Sequence, residues 1–290
     1  MEFLSIDSTS AASNERSDVE ARPIQYLQEQ IHRVRQRMND RKTFVVTGSS
    51  SGVGAATALE LAHRGFSVVI NYTKSAAGAE EAAQACLRAG GEAVAVRADV
   101  AQDADCRRLA AAALDKWGRI DGLVNNAGTT KFASMRDLEA LSADDFQRIY
   151  SVNLVGPFQM IRACEAALRA SRGAVVNVSS IAGTMGIGSS FAYACSKGAL
   201  NTLTLALARA LGPDIRINAV LPGFTETRWL KEGLGDRYSQ SRESYADRSA
   251  LRTTMAPEEV AASIVALLES RKITGQLLTV DAGFGIGRPW

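Results

Sequence analysis

From residue 41 onward the chain alternates short β-branched runs with Ala- and Leu-rich stretches of helical period. The runs fall at residues 43–47, 66–71, 93–97, 122–125, 174–179, 215–221 and 276–280. Between most of them lie helical segments at 55–63, 80–89, 103–117, 143–170, 193–211 and 257–270. No strand candidate alternates polar with apolar positions, so each is expected to be buried on both faces. That predicts a parallel sheet covered by helices on either side. Right-handed crossovers then wind the sheet in both directions and place ligands at the carboxyl ends of the strands. Residues 41–290 carry no repeat or low-complexity block and are read as one α/β domain.

Residues 1–40 form an N-terminal extension of different character. The first 22 are rich in Ser, Ala, Asp, Glu and Asn, show no hydrophobic period, and read as a disordered tail. Pro23 suits the first position of a helix. Ile24, Leu27, Ile31, Val34 and Met38 follow at heptad-like spacing, predicting an amphipathic helix over about residues 24–38. Two heptads make only a marginal autonomous coiled coil. The helix is expected to lie against its own domain or a neighbouring subunit, with a dedicated partner-binding role as the other reading.

Composition narrows the function classes. The chain has 290 residues, 46% hydrophobic and 22% charged, with a net charge of +2, too small to suggest a polyanion binder. Neither nucleic acid nor membrane is expected as a partner, since no apolar run approaches the ~20 residues that span a bilayer. The first residues do not resemble a secretory signal. Four scattered cysteines without a C-x-x-C pair, and two histidines, argue against a disulfide framework or a zinc site, and no metal is expected. A cytoplasmic location is the expectation.

Directly after the first strand comes Thr47-Gly48-Ser49-Ser50-Ser51-Gly52-Val53-Gly54, and then a helix. A strand-to-helix turn offers free backbone N–H groups and the positive end of a helix dipole to a pyrophosphate. Glycines there let phosphate approach the backbone and let the helix pack close to the sheet. No Gly-Lys-Ser/Thr follows, so the turn is not a P-loop. The spacing Gly-x-x-x-Gly-x-Gly, preceded by threonine, resembles the signature of the short-chain dehydrogenase/reductase family. The resemblance implies a Rossmann-type doubly wound sheet of about seven strands and a nicotinamide dinucleotide held at this turn.

The segment after the second strand, Asn71-Tyr72-Thr73-Lys74-Ser75, holds no carboxylate to bond a ribose 2′-hydroxyl. A 2′-phosphate would meet no like charge there, and Lys74 with the hydroxyls of Ser49, Ser50, Thr73 and Ser75 could coordinate it. NADP(H) is therefore expected over NAD(H), although Ser51 stands where the family often carries a basic residue. By the same resemblance, Asp99 and Val100 after the third strand would hold the adenine. Asn125-Asn126-Ala127-Gly128 matches the family's Asn-Asn-Ala-Gly segment. Asn126 is expected to cross-link strand ends, and Ala127 and Gly128 to leave room for cofactor. Pro222, Gly223, Thr225 and Thr227 match the family's Pro-Gly-x-x-x-Thr segment, in which Thr227 would bond the carboxamide.

Tyr193 and Lys197 are four residues apart, hence on one helix face. An unperturbed phenol titrates near ~10, too high for efficient acid–base work at neutral pH. An ammonium on the same face, with the positive nicotinamide of the oxidised complex, would lower that value. Asn153, Ser180, Tyr193 and Lys197, in that order, resemble the family's catalytic tetrad. The resemblance implies that Ser180 polarises a substrate carbonyl, Tyr193 transfers the proton, and Lys197 binds the nicotinamide ribose and tunes Tyr193. Asn153 would hold a water linking Lys197 to solvent. Near it, Gly156-Pro157 is expected to loosen the helical hydrogen bonding.

Residues 226–255 form the least regular stretch and would cover the substrate. Its arginines either face water or favour an anionic, carrier- or CoA-bound substrate, as general similarity to β-ketoacyl-carrier-protein reductases suggests. Residues 183–191 are expected to line the pocket, small-sided but apolar at Met185, Ile187 and Phe191. The expected function is hydride transfer between NADP(H) and a ketone or secondary alcohol, with Tyr193 as general acid/base. The alternative is a cofactor-sensing regulatory or scaffold protein on the same fold. The resemblance also implies a homotetramer built through helices 143–170 and 193–211.

Overall fold

The computed structural model describes residues 41–287; the tail and helix expected within residues 1–40 lie outside them. Seven strands form one parallel sheet in the order β3-β2-β1-β4-β5-β6-β7. They are β1 (Thr43–Val46), β2 (Ser67–Tyr72), β3 (Glu92–Arg97), β4 (Gly122–Asn125), β5 (Ala174–Val178), β6 (Arg216–Pro222) and β7 (Leu277–Val280). Each strand agrees with its sequence expectation to within a residue or so. The order reverses between β1 and β4, the switch point beyond whose strand ends such sheets bind ligands.

Alternate residues along each strand feed two cores. Phe44, Val46, Val68 and Ile70 face helices α1 (Gly52–His63), α2 (Ala76–Arg88) and α10 (Pro257–Glu269). Val45, Val69, Leu123 and Val175 face α3 (Asp103–Trp117), α5 (Gly156–Ser171) and α7 (Phe191–Leu211). Both faces of the sheet are therefore dry, which is why the strands read as unbroken apolar runs. No described helix is long and apolar enough to cross a membrane.

Two expectations are corrected. The single helix expected at 143–170 is two, α4 (Ala143–Tyr150) and α5, joined by a π-helical turn over Ser151–Val155. Pro157 lacks the N–H that would continue the α ladder, and the chain answers with a wider turn that contains Asn153. The stretch at 226–255 is mainly helical, with α8 (Arg228–Leu234) and α9 (Tyr238–Arg248) joined by a 3₁₀ turn. Its polar surface hid this, because α9 buries only Tyr245 and so has almost no apolar stripe. A short helix, α6 (Ala182–Met185), also lies between β5 and α7.

Candidate active site

The glycine turn is shaped by close approach. Gly48 has φ +62°, and a Cβ there would stand 2.9 Å from Ala127 Cα. Gly54 is still more constrained, since a Cβ would meet the Gly48 carbonyl oxygen at 2.6 Å. Ser51 precedes α1 in extended conformation and makes no side-chain capping bond. The first N–H groups of α1 thus keep their donors for an incoming anion. That uncapped terminus, with space only glycine can leave, fits a pyrophosphate. Val53 turns inward against the core.

Asparagines hold the strand ends in place. Asn71 is almost fully buried: Gly48 N–H donates to its Oδ1 at 2.9 Å, and its Nδ2 donates to Ala98 O at 3.0 Å. It ties the glycine turn to the end of β3, a structural task that the sequence reading had not assigned. Asn126 Nδ2 donates to Thr47 O at 2.9 Å and Gly48 O at 3.0 Å, the cross-link expected of it. The N–H groups of Asn126 and Ala127 both donate to Thr47 Oγ1 at 3.0 Å. Asn125 Nδ2 extends the lacing to Asn177 Oδ1 at 2.9 Å.

At the far end of the crevice, Tyr72 is half-buried while Thr73 and Lys74 are exposed. Ser75 Oγ accepts from Gly78 N–H at 3.3 Å and starts α2. A Cβ on Gly78 would press on the Ser50 carbonyl at 2.7 Å, so Ser50 and Lys74 border the same corner. Asp99 uses its carboxylate locally, accepting from Ala101 N–H at 3.0 Å. Val100 packs in the core against Gly156.

The four polar residues singled out near the sheet centre come together. Lys197 Nζ donates to Val178 O at 2.8 Å and stands 5.6 Å from the centre of the Tyr193 ring. The Ser180 hydroxyl lies at the same corner: it donates to Pro222 O at 3.4 Å, and its nearness to the Tyr193 phenol favours the ionised phenol. A Cβ on the exposed Gly128 would lie 3.6 Å from Asn153 Oδ1 and 3.7 Å from Lys197 Nζ, so Gly128 floors the gap between them. Asn153 is fully buried in the π turn. Its side chain accepts from Thr129 N–H at 2.8 Å and donates to Thr129 O at 2.9 Å and Ser196 Oγ at 3.0 Å. Both amide protons of Asn153 are thus spent, and a water could meet the side chain only at the second lone pair of Oδ1.

Burial sets the protonation states here. Burial pushes the Tyr193 phenol up to about 12, partly offset by the nearby Ser180 hydroxyl, and pushes the Lys197 ammonium down to about 8. The expected lowering of Tyr193 is thus reversed in this state. Lys197 spends its ammonium on Val178 and sits over the ring, so loss of hydration dominates at the phenol oxygen.

The segment after β6 closes the crevice. Gly223 N–H donates to Val280 O at 3.0 Å, and a Cβ on Gly223 would collide with the Tyr245 hydroxyl. Pro222 O accepts from Ile181 N–H at 3.1 Å, joining this segment to the Ser180 loop. Thr225 bridges to Met255. Thr227 Oγ1 accepts from Leu230 N–H at 3.2 Å to cap α8. A Cβ on Gly52 would come within 3.3 Å of Thr227 Cγ2, so the end of this segment reaches across to the glycine turn. Sequence reasoning missed Phe132, whose ring lies 5.6 Å from that of Trp229 in α8. Trp229 in turn lies 6.4 Å from Tyr193. A lone Phe in an irregular loop carried no periodic signal that could have found it.

A doubly wound sheet with a glycine turn at its switch point and a buried Ser/Tyr/Lys cluster defines a dinucleotide-dependent oxidoreductase. Residues 48–285 match the family model described as Enoyl-(Acyl carrier protein) reductase. The chain is 41% identical to ketoacyl reductase 2 of the granaticin polyketide synthase of Streptomyces violaceoruber, covering 82% of this chain and 94% of that protein. It is 36% identical to a 3-oxoacyl-[acyl-carrier-protein] reductase of Synechocystis, over 82% of this chain and 95% of the other. The crystal structure of a short-chain dehydrogenase/reductase from Burkholderia xenovorans superposes with a TM-score of 0.80 at 39% identity, covering 86% of this chain and 99% of that one. The chain belongs to the short-chain dehydrogenase/reductase family and is an oxidoreductase acting between CH–OH and C=O groups.

Proposed function

We propose that this protein is an NADPH-preferring reductase of ketones, including 3-oxoacyl groups on a carrier or CoA, with Tyr193 as the proton donor. The observation that carries the reading is the convergence of Ser180, Tyr193 and Lys197 on one buried corner beside Gly128. A bound nicotinamide supplies the hydride. Ser180 Oγ and the Tyr193 hydroxyl hold the carbonyl oxygen between two donors, and Tyr193 releases its proton to that oxygen as charge develops. Lys197 turns its ammonium from Val178 O toward the ribose and the phenol oxygen, stabilising the phenolate left behind. Asn153 then holds the water through which the proton is restored. The glycine turn would hold the pyrophosphate, Asp99 would border the adenine, and Thr227 would bond the carboxamide.

Preference for the 2′-phosphate is supported by exposed Lys74 and Thr73 in a corner without carboxylates. Four unpaired thiols, Cys86, Cys106, Cys164 and Cys195, support a reducing, cytoplasmic setting. Exposed Val155, Phe158 and Leu205 on the α5 and α7 side support a homotetramer. The deciding experiment follows oxidation of NADPH and NADH over a panel of ketones for the wild type and Tyr193→Phe. NADPH-dependent turnover falling by at least ~100-fold in the variant is expected. Unchanged turnover would refute the assignment of Tyr193.

A further inference from the structure

Above Tyr193 the crevice is walled by aromatic rings rather than by the polar groups that dominate α8 and α9. Trp229 is tilted 41° to Tyr193 and 52° to Phe132, in an unbroken series of three rings. Trp229 is nevertheless 44% exposed, a large apolar surface left open beside the proton donor.

The wall is built to hold its shape. Phe132 sits in a loop fixed on both sides, because Ala133 N–H donates to Ser189 O at 2.8 Å and Thr130 Oγ1 bonds Ser189 Oγ at 2.8 Å. Lys131 adds an ion pair to Asp145 at 2.7 Å. From the other side Gly233 of α8 lies flat on the Phe132 ring, where any Cβ would overlap it. Trp229 is therefore clamped through its helix to a fixed phenyl ring.

Trp229 lies beside Tyr193, so a group carried on a carbonyl bound there can lie against its open face. We infer that Trp229 and Phe132 form a stacking slot that selects ketones borne on flat, fused or aromatic rings over linear 3-oxoacyl chains. The inference rests on the ketone-reductase reading of the same site. Offset stacking rewards a rigid planar group beyond its buried area, whereas a flexible chain gains area alone and loses rotamer freedom. Arg228 and Lys231 are exposed next to Trp229 and leave the rim open to polar substituents.

The test compares 2-tetralone with the N-acetylcysteamine thioester of acetoacetate, using wild type, Trp229→Ala, Trp229→Phe and Phe132→Ala. Trp229→Ala is expected to lower kcat/KM for tetralone by about 30-fold, mainly through KM, and to change the thioester by less than about threefold. Trp229→Phe should restore most of the loss, and Phe132→Ala should fall between. Binding is read in parallel by isothermal titration calorimetry with tetralone, which needs no turnover. Binding that weakens in Trp229→Ala and returns in Trp229→Phe, without any reduction, would support the slot while the reductase reading failed. Equal losses for both ketones, or wild-type preference for the thioester, would overturn the slot and leave the reductase reading standing. Tetralone that neither binds nor reacts would overturn it as well.

Discussion

Lys197 Nζ donates to the carbonyl of Val178 at 2.8 Å, on the face of the Tyr193 ring and not at its hydroxyl. In this arrangement the ammonium holds a strand end and leaves the phenol protonated. A proton donor for reduction needs that state before the carbonyl arrives. Under the proposed function the same lysine would then change partners, leaving Val178 O for the ribose and the phenol oxygen.

A pH-dependent stability follows from the resting contact. Burial brings Lys197 down to about 8 in the folded chain, against an ordinary value of 10.5. Between those values the unfolded chain keeps a proton that the folded one has released, so raising the pH favours the fold. The full difference corresponds to about 3 kcal/mol. Lys197→Met abolishes this dependence while orphaning Val178 O equally at every pH. The unfolding free energy of wild type minus variant should therefore climb by about 2 kcal/mol between pH 7.5 and 10, read by urea titration of the cofactor-free protein. A flat difference would mean that Lys197 is not held charged in a dry site.

Cofactor preference should hinge on Lys74. It is exposed at the corner bordered by Ser50 and Ser75, where a 2′-phosphate would gain one charge-assisted bond. Lys74→Glu replaces that attraction with repulsion and touches nothing in the core. Its kcat/KM for NADPH should fall about 10- to 100-fold, with NADH changed less than about threefold. The NADPH loss should shrink as salt is raised, and parallel losses for both cofactors would show that Lys74 does not discriminate.

The fold was legible because the central strands are dry apolar runs bounded by turn chemistry, with only the edge strands β3 and β7 partly open, and the switch point carried its glycines in plain view. The grouping of Ser180, Tyr193 and Lys197 was legible through motif order. Other features required three dimensions. Asn71 stands in the segment expected to face the cofactor, and its buried amide bonds Gly48 and Ala98, neither of them near it in sequence. Asn153 lies beside Lys197 and Gly128, but both its amide protons are spent on Thr129 and Ser196. The helices of residues 228–248 escaped because amphipathicity was the signal sought and α9 buries one side chain. Spacing along the chain reports which face a residue shares, not what already occupies its hydrogen bonds.

Glu226 braces the lid. Its carboxylate accepts from Arg242 Nε at 2.7 Å and from the Thr254 hydroxyl, tying the start of the lid to α9 and to the segment returning toward α10. Those bonds hold the carboxyl below its ordinary range, so the brace stays charged as the pH falls toward 5. Glu226→Gln keeps the shape and removes the charge. If this stretch covers the substrate as expected, the ketone KM should rise about three- to tenfold with kcat within about twofold, since such a cover would bind ground state and transition state alike. A loss confined to kcat would place Glu226 in the chemistry instead.

Assembly should depend on the open apolar surface of α5 and its π turn. Val155 and Phe158 are 44% and 42% exposed, and Leu205 of α7 is 44% exposed. Helices α4 and α7 and the π turn pack against one another, so these side chains share one side of the sheet. A monomer has no reason to leave three large apolar groups wet on neighbouring helices, whereas a two-fold contact buries each of them twice. Phe158→Glu puts a carboxylate at that contact while leaving both cores intact. Wild type is expected near 124 kDa by light scattering, about four chains of 30.9 kDa, and the variant at half of that or less. Far-ultraviolet circular dichroism should be unchanged. A variant that stays at the wild-type mass would move the interface elsewhere, and a monomeric wild type would remove the assembly altogether. If the contact also steadies the π turn that holds Asn153, the dissociated variant will lose turnover in proportion to dissociation and regain it as protein concentration rises.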